Sequence, residues 1–328
     1  MSFDSEDIVV AYLIMILIYT GIKKQKKAIV VILILLLVLS FNIIGFDIVS
    51  FNIVTKKSAF ERPQNQMLIT QLDVGQGNSA LIETTQGNTI LVDGGGFPGS
   101  SSFDTGNCII APFLWKKNIN TLDFLILTHP ESDHLNGLIY ILKNFKVHKL
   151  IKNTDHTNSQ AYHKMIEICE KKQIPIIELA NTDRQFTIGD TKLLFLSEKN
   201  PLVRNNLNNN SLVFKLSFKN FSALFPGDIL KSREQQLTSS YGHKLCSNIL
   251  ISPHHGSASS STLQFLKAVQ PANIIISCGR NNKYHFPHSK VLKRYLDIGA
   301  RVFRTDTDGA IFITTDGNYY EITSSVLN

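Results

Sequence analysis

The sequence predicts an α/β protein, a four-layer arrangement of mixed sheet with helices outside, preceded by a two-helix transmembrane hairpin. Two observations carry that expectation. Apolar residues make up 43% of the 328 but are unevenly spread: residues 8–22 and 28–46 contain no charge, and only KKQKK separates them. From Met67 onward the texture changes to short apolar runs between turn signals. Several strands precede the first helix there, and later strands alternate with helices. With 18% charged residues and four cysteines, the composition excludes collagen, coiled coil, disordered tail and small disulfide scaffold.

The first element is the membrane end, residues 1–46. The run 28–46 is 19 residues long, close to the roughly 20 that a helix needs to cross hydrocarbon. The run 8–22 is shorter but tied to it by a tight loop. Asp4, Glu6 and Asp7 stand where a signal peptide needs positive charge, which argues for the hairpin. Lys23, Lys24, Lys26 and Lys27 place the loop on the cytoplasmic side of an inner or plasma membrane. Everything after residue 46 then lies on the periplasmic or extracellular face, although Lys56, Lys57 and Arg62 weigh against that orientation. Residues 47–66 read as a linker ending in ERPQNQ, and 67–328 as the globular domain.

Within that domain, strands are expected at 67–74, 79–84, 88–93, 123–128, 191–196, 211–218, 221–226, 248–252, 273–277, 301–305 and 310–314. Helices are expected at 107–117, 134–144, 159–172, 231–239, 261–269 and 288–298. Cys108, Cys169, Cys246 and Cys278 are widely spaced and indicate neither a zinc cage nor a disulfide framework. After position 66 there are 26 basic and 21 acidic residues, a surplus that permits a polyanionic substrate without identifying one.

All ten histidines lie after residue 128, several where an expected strand ends. DFLILT runs into HPESDH, which supplies His129, Glu131, Asp133 and His134 within six positions. Imidazole and carboxylate together suit a borderline divalent metal; a lone histidine would instead be packing. FSALFPGDI delivers Asp228, a weak signal alone. NILISPHHGSASSS delivers His254 and His255, which cannot both point the same way, followed by Ser257 at a turn and helix start that would meet a phosphate. NNKYHFPHSK carries His285 and His288. Arg280 and Lys283 would hold a strand's backbone, or simply be a solvated loop. For Tyr284 and Phe286, packing under the loop is preferred to stacking on a base.

The order QLDVGQGNSALIET, ILVDGGG, THPESDHLNGL, NNNSLVF, LFPGDI, ISPHHGS and YHFPHSKVL resembles the metallo-β-lactamase fold, and in particular the carboxy-terminal domain of the ComEC competence-protein family. The likeness runs from about Met67 to Ile322. It implies an αββα sandwich with a metal site at one edge. His129 and Glu131 would occupy one metal position, Asp133 and His134 the other, with Asp228 between them. His255 would be a ligand and His254 a proton donor or phosphate contact. Asp93 would brace the site, and Asp73, Gly75 and Gly77 would shape a turn near it.

The sequence departs from the pattern in three places. Glu131 stands where the general fold has histidine, although an acidic residue is usual in the ComEC branch. No histidine falls between His163 and His243, so the third ligand of the first metal is missing, with Asn208 and Ser211 in about that place. Asn78 and Phe286 replace an aspartate and a histidine of the family motifs. The first metal position becomes oxygen-rich, and one or two ions of manganese or zinc are expected.

The function implied is metal-assisted hydrolysis of a DNA phosphodiester during DNA uptake. Asp133 would act as the base, and His254 or His288 would protonate the leaving oxygen or hold a phosphate. Two alternatives stay open: a hydrolase of a small lactam, lactone, thioester or phosphocholine-like ester, or a non-catalytic subunit gripping single-stranded DNA. The family's long channel region has no match here, so transport by this chain alone is not expected. A fragment of a longer protein, or a split form working with a separate multi-helix channel protein, is a further expectation.

Overall fold

The computed structural model describes residues 65–97, 103–179, 184–196 and 206–326. The two apolar runs and nearly all of the 47–66 linker lie outside the described residues, among which no helix is long and apolar enough to cross a membrane. The strands are β1 (Met67–Gln71), β2 (Ala80–Glu83), β3 (Thr89–Val92), β4 (Thr121–Leu122), β5 (Phe124–Leu127), β6 (Lys146–Val147), β7 (Leu150–Asn153), β8 (Ile176–Leu179), β9 (Arg184–Ile188), β10 (Thr191–Leu196), β11 (Val213–Phe218), β12 (Phe221–Phe225), β13 (Ile249–Ile251), β14 (Asn273–Ile276), β15 (Arg301–Arg304), β16 (Ile311–Thr315) and β17 (Tyr320–Ser324). The α-helices are α1 (Ala111–Lys116), α2 (Ser132–Asn144), α3 (Gln160–Lys171), α4 (Lys231–Tyr241), α5 (Leu263–Val269), α6 (Ser289–Asp297) and the single turn α7 (Thr305–Asp308).

Two large sheets result, ordered β17-β16-β1-β2-β3-β5-β7-β8 and β15-β14-β13-β12-β11-β10-β9. Both faces of the central strands are buried, which is why they read as unbroken apolar runs rather than alternating ones. The period of two still sorts them. Ile82, Ile90, Val92 and Ile126 face the other sheet, meeting Phe214, Phe225 and Ile249. Leu81, Leu91, Leu125 and Leu127 face outward onto Ile110, Leu114, Leu138 and Met165 of the helical layer. On the far side Leu224, Leu250 and Ile274 meet Leu237, Phe265 and Tyr295. This is the four-layer αββα sandwich.

Six strands escape sequence reading, and each has a reason. β4 and β6 are two-residue pairings. β7 (LIKN) has a lysine in its middle, yet Lys152 is fully buried. Its Nζ donates to the carbonyls of Asn153 and Asp155 and sits 2.9 Å from Glu178 Oε1, so the charge is paired. β8, β9 and β17 lie at sheet edges and carry polar residues on their exposed faces. The helix expected at 107–117 is two pieces, a π-turn Gly106–Ile110 and then α1. The helix expected at 261–269 starts later, with Thr262 as its cap.

What the fold does for chemistry follows from strand direction. β3 and β5 are parallel, and so are β12, β13 and β14. Their carboxyl ends therefore empty onto one edge of the sandwich, where open α/β sheets place their ligands. Asp93, His129, Asp228, His254 and Ser277 each come within three residues of such an end.

Candidate metal centre

Asp133, His134, Asp228 and His255 converge so that one ligand atom from each lies within 4.8 Å of all the others. Asp228 sits between the imidazoles. Its Oδ1 is 3.3 Å from His134 Nε2 and its Oδ2 is 3.2 Å from His255 Nε2. Asp133 Oδ2 reaches the same His255 nitrogen at 3.4 Å. Both imidazoles are buried, and Asp133 is the most open of the four carboxylate and imidazole groups.

The ring orientations are fixed from behind. Asp93, wholly buried, accepts from the Thr128 backbone N–H at Oδ1 (2.8 Å). Its Oδ2 accepts from the Thr128 hydroxyl (2.9 Å), from His134 Nδ1 (2.8 Å) and from Asn78 Nδ2 (3.3 Å). The Thr128 oxygen, its proton spent on Asp93, is the acceptor for His129 Nδ1 at 3.2 Å. His255 Nδ1 donates to the Ser277 carbonyl at 2.9 Å. With Nδ1 committed behind each ring, Nε2 of His129, His134 and His255 is the atom left for an ion, and all three Nε2 atoms are buried without a hydrogen bond. Buried polar atoms are rarely left so. A histidine tied down through Nδ1 with Nε2 free is the arrangement that metal-binding rings adopt. Two imidazoles and two carboxylates fit a divalent ion such as zinc or manganese.

The backbone around these residues is unusual in ways that side-chain reading misses. His254 and His255 both take left-handed φ, 50° and 55°, which costs a non-glycine residue on the order of 1–3 kcal/mol. That turn aims His255 inward and leaves His254 22% exposed, with Nε2 4.0 Å from Asp228 Oδ2. The His254 N–H donates to the Gly227 carbonyl, stitching the two turns together. Ser211 takes part as a brace: its Oγ accepts from the Asp228 N–H and donates to the Asn208 carbonyl. The Gly75–Asn78 turn ties the remaining pieces. Asn78 N–H donates to the Asp133 carbonyl, and the Ser277 hydroxyl donates to the Gly77 carbonyl.

Gly77 has φ +95°, and a Cβ there would sit 1.8 Å from the Asp133 oxygen. Gly77→Ala is therefore expected to push the first turn of α2 off the site. We expect it to cost at least about 2 kcal/mol of stability and to weaken metal uptake, read by thermal unfolding and metal titration. Gly242→Ala, also at positive φ but with nothing within 4 Å, is expected to leave metal uptake intact.

Other residues singled out by sequence fall outside the converging group. His129 lies beside it, its ring 4.2 Å from that of His134, and Glu131 is 39% exposed with Oε2 4.0 Å from His129 Nε2. Asn208 has a buried, unpaired Oδ1. Ser257 lies in the turn six residues ahead of α5, where its hydroxyl contacts that of Ser259. His288 caps α6, its Nδ1 accepting from the Lys290 N–H. Arg280 donates to the Asp306 carbonyl, and Lys283 stands over the Tyr284 ring. Cys108 and Cys246 are exposed and Cys169 and Cys278 buried, all as free thiols.

Residues 72–280 match the family model of the metallo-beta-lactamase superfamily. The chain belongs to that superfamily. Among curated relatives, ComE operon protein 3 of Bacillus subtilis is 32% identical over 253 residues, covering 74% of this chain and 32% of that protein. Competence protein ComA of Neisseria gonorrhoeae is 29% identical over 256 residues, covering 76% of this chain and 32% of that protein. The chain thus spans about a third of the length of these relatives. Among solved structures, the metallo-beta-lactamase fold protein YhfI from Bacillus subtilis aligns with a TM-score of 0.47 at 13% identity, covering 74% of this chain and 98% of that one. The metallo-beta-lactamase fold holds divalent metals, and this chain carries a candidate site for one.

With no ion bound, the charges at the site set one another. Burial opposes ionisation throughout, but Asp228 and Asp133 draw His255 up to about 10. Asp228 and Asp93 likewise draw His134 well above the imidazole range. Asp228 and Asp133, despite burial, stay well below the carboxylate range beside those cations. Burial, and then His134, hold His129 down to about 4. Burial, and then Asp133 and Asp228, push Glu131 up to about 7.

These directions give an expected pH profile for the chelator-treated protein. The raised His255 contributes stability present below about pH 6.5 and lost as pH climbs through about 10. The depressed His129 contributes above about 6.5 and loses its share as pH falls through about 4, with Asp133 and Asp228 following below that. Glu131, partly exposed and so screened, adds a smaller loss as pH rises through about 7. The unfolding midpoint should therefore peak near neutrality, on its acid side. Added zinc or manganese should flatten the alkaline limb, because the ion replaces those protons. A midpoint rising steadily to pH 10 without metal would contradict this picture of the site.

Proposed function

We propose that the protein is a metal-dependent phosphodiesterase that cleaves DNA, single strands in preference, during DNA uptake. The observation that carries it is the pair of buried Nε2 atoms, on His134 and His255, that lie without a hydrogen bond on either side of Asp228. Similarity to proteins named for competence supports DNA as the substrate. A divalent ion at this site would supply a Lewis acid and make water acidic enough to attack near neutral pH. His134, His255, Asp228 and Asp133 would hold it, with His129 and Glu131 offering a second, poorer position. Asp133, the most open of the four, orients the attacking water and takes its proton. His254, at the rim, faces substrate and donates to a phosphate oxygen. The exposed Arg280 and Lys283 hold the strand's backbone without reading bases.

We extend the proposal to the chain as a whole. Residues 8–22 and 28–46 anchor it in the inner or plasma membrane, the domain lies on the periplasmic or extracellular side, and a separate multi-helix protein supplies the channel. The absence of charge from both runs supports the anchor. The decisive assay is release of nucleotides from linear single-stranded DNA with added manganese or zinc. Asp133→Ala is expected to abolish release by at least about a hundredfold while the protein stays folded. Hydrolysis of a small ester but not DNA would move the function to another substrate, and metal-independent DNA retention without cleavage would make the domain a binding module.

A further inference from the structure

The loop from Gly279 to His288 is firmly built. Asn282 donates Nδ2 to the carbonyls of Gly279 (2.9 Å) and Phe286 (2.6 Å), and its Oδ1 accepts from the Phe286 N–H (2.9 Å). This frame holds Tyr284 outward, 43% exposed, so packing under the loop, the role preferred from sequence, is not what the structure gives it. The Tyr284 ring lies on Phe286 with centroids 5.5 Å apart and planes 19° from parallel. Phe286 meets His254 edge-on at 5.7 Å, and His254 Nε2 is 4.0 Å from Asp228 Oδ2. A series of flat rings thus leads from solvent to the candidate metal centre. Lys283 Nζ stands 5.0 Å from the Tyr284 centroid, a cation at the ring that would be free to swing to an anion when a flat ligand arrives.

We propose that Tyr284 is a stacking platform for a base of single-stranded DNA, with Lys283 pairing the adjoining phosphate. This rests on reading the neighbouring site as one that acts on DNA. A flat aromatic face beside a flexible cation is the pairing that binds unpaired strands with little sequence preference, since every base has a π-face. Duplex DNA offers no free faces, so the platform selects single strands.

The test is fluorescence anisotropy with the full-length protein in detergent, using a labelled short oligothymidylate, with chelator present so that no cleavage occurs. Tyr284→Ala is expected to weaken binding about 5- to 150-fold, and Tyr284→Phe to retain it. Affinity for duplex of the same length should be unchanged by either variant. An abasic oligonucleotide should bind wild type and Tyr284→Ala alike. Wild-type affinity in Tyr284→Ala, or equal losses on single strand, duplex and abasic DNA, overturns the platform. The nuclease reading fails separately: no metal-dependent cleavage by wild type, with the Tyr284 effect on binding intact, removes catalysis and keeps the platform.

Discussion

Asp228→Asn is expected to leave the purified protein nearly free of metal and to lower hydrolysis by at least about a thousandfold, equivalent to roughly 4 kcal/mol of transition-state stabilisation. The reason is that both carboxylate oxygens are committed. One faces His134 Nε2 at 3.3 Å and the other His255 Nε2 at 3.2 Å, with the side chain 4% exposed. Asparagine keeps one oxygen, turns an amide NH2 toward the other imidazole and carries no charge. It cannot serve as an anionic ligand between two nitrogens. Without metal the change also strips the counter-charge from two rings that Asp228 draws toward protonation, so the unfolding midpoint should fall even in chelator. Elemental analysis, cleavage rate and thermal unfolding are read together. Full metal content with full activity in this variant would remove Asp228 from the centre.

Much of this arrangement was legible from sequence because strand direction does the gathering. Apolar runs ending in THPESDH, PGD and PHHG mark carboxyl ends, and the parallel strands β5, β12 and β13 bring those ends to one edge. What was not legible depends on backbone. Nothing in the letters says that two consecutive histidines adopt left-handed φ, or that His255 is oriented by the Ser277 carbonyl, a group any residue would provide. The glycine at position 77 carries a signal only once the Asp133 carbonyl is known to press against it. Lys152 hides β7 because a buried charge reads as a loop until its partners are seen. Ser257 stands at a turn, as the sequence suggests, but the helix that follows begins only at Leu263, so the serines between bond to their own and neighbouring loops, Ser259 to Ser257 and Ser260 to the Ile229 carbonyl.

The second large effect is expected at a residue that touches no ion. Asp93→Asn should weaken metal binding at least 10- to 100-fold, the usual range for residues that orient a ligating ring. The Asp93 carboxylate accepts four hydrogen bonds and donates none, with one oxygen on the Thr128 N–H and the other shared by the Thr128 hydroxyl, Asn78 and His134 Nδ1. An asparagine must keep its oxygen toward the Thr128 backbone or toward the other three. In the first case its NH2 meets the His134 Nδ1–H, and the ring is driven to carry its proton on Nε2, which blocks the lone pair. In the second case the NH2 confronts the Thr128 N–H and displaces the start of the ligand loop. Either outcome spoils His134 while leaving all four converging side chains in the sequence. The measurement is zinc affinity by competition with a chromophoric chelator, joined to the tautomer of His134 from nitrogen NMR. Asp93→Ala, which removes the conflict but also the brace, should weaken binding without forcing the Nε2–H tautomer. Unchanged affinity in Asp93→Asn would mean that His134 is held by packing alone and that the hydrogen bonds behind it do not set its lone pair.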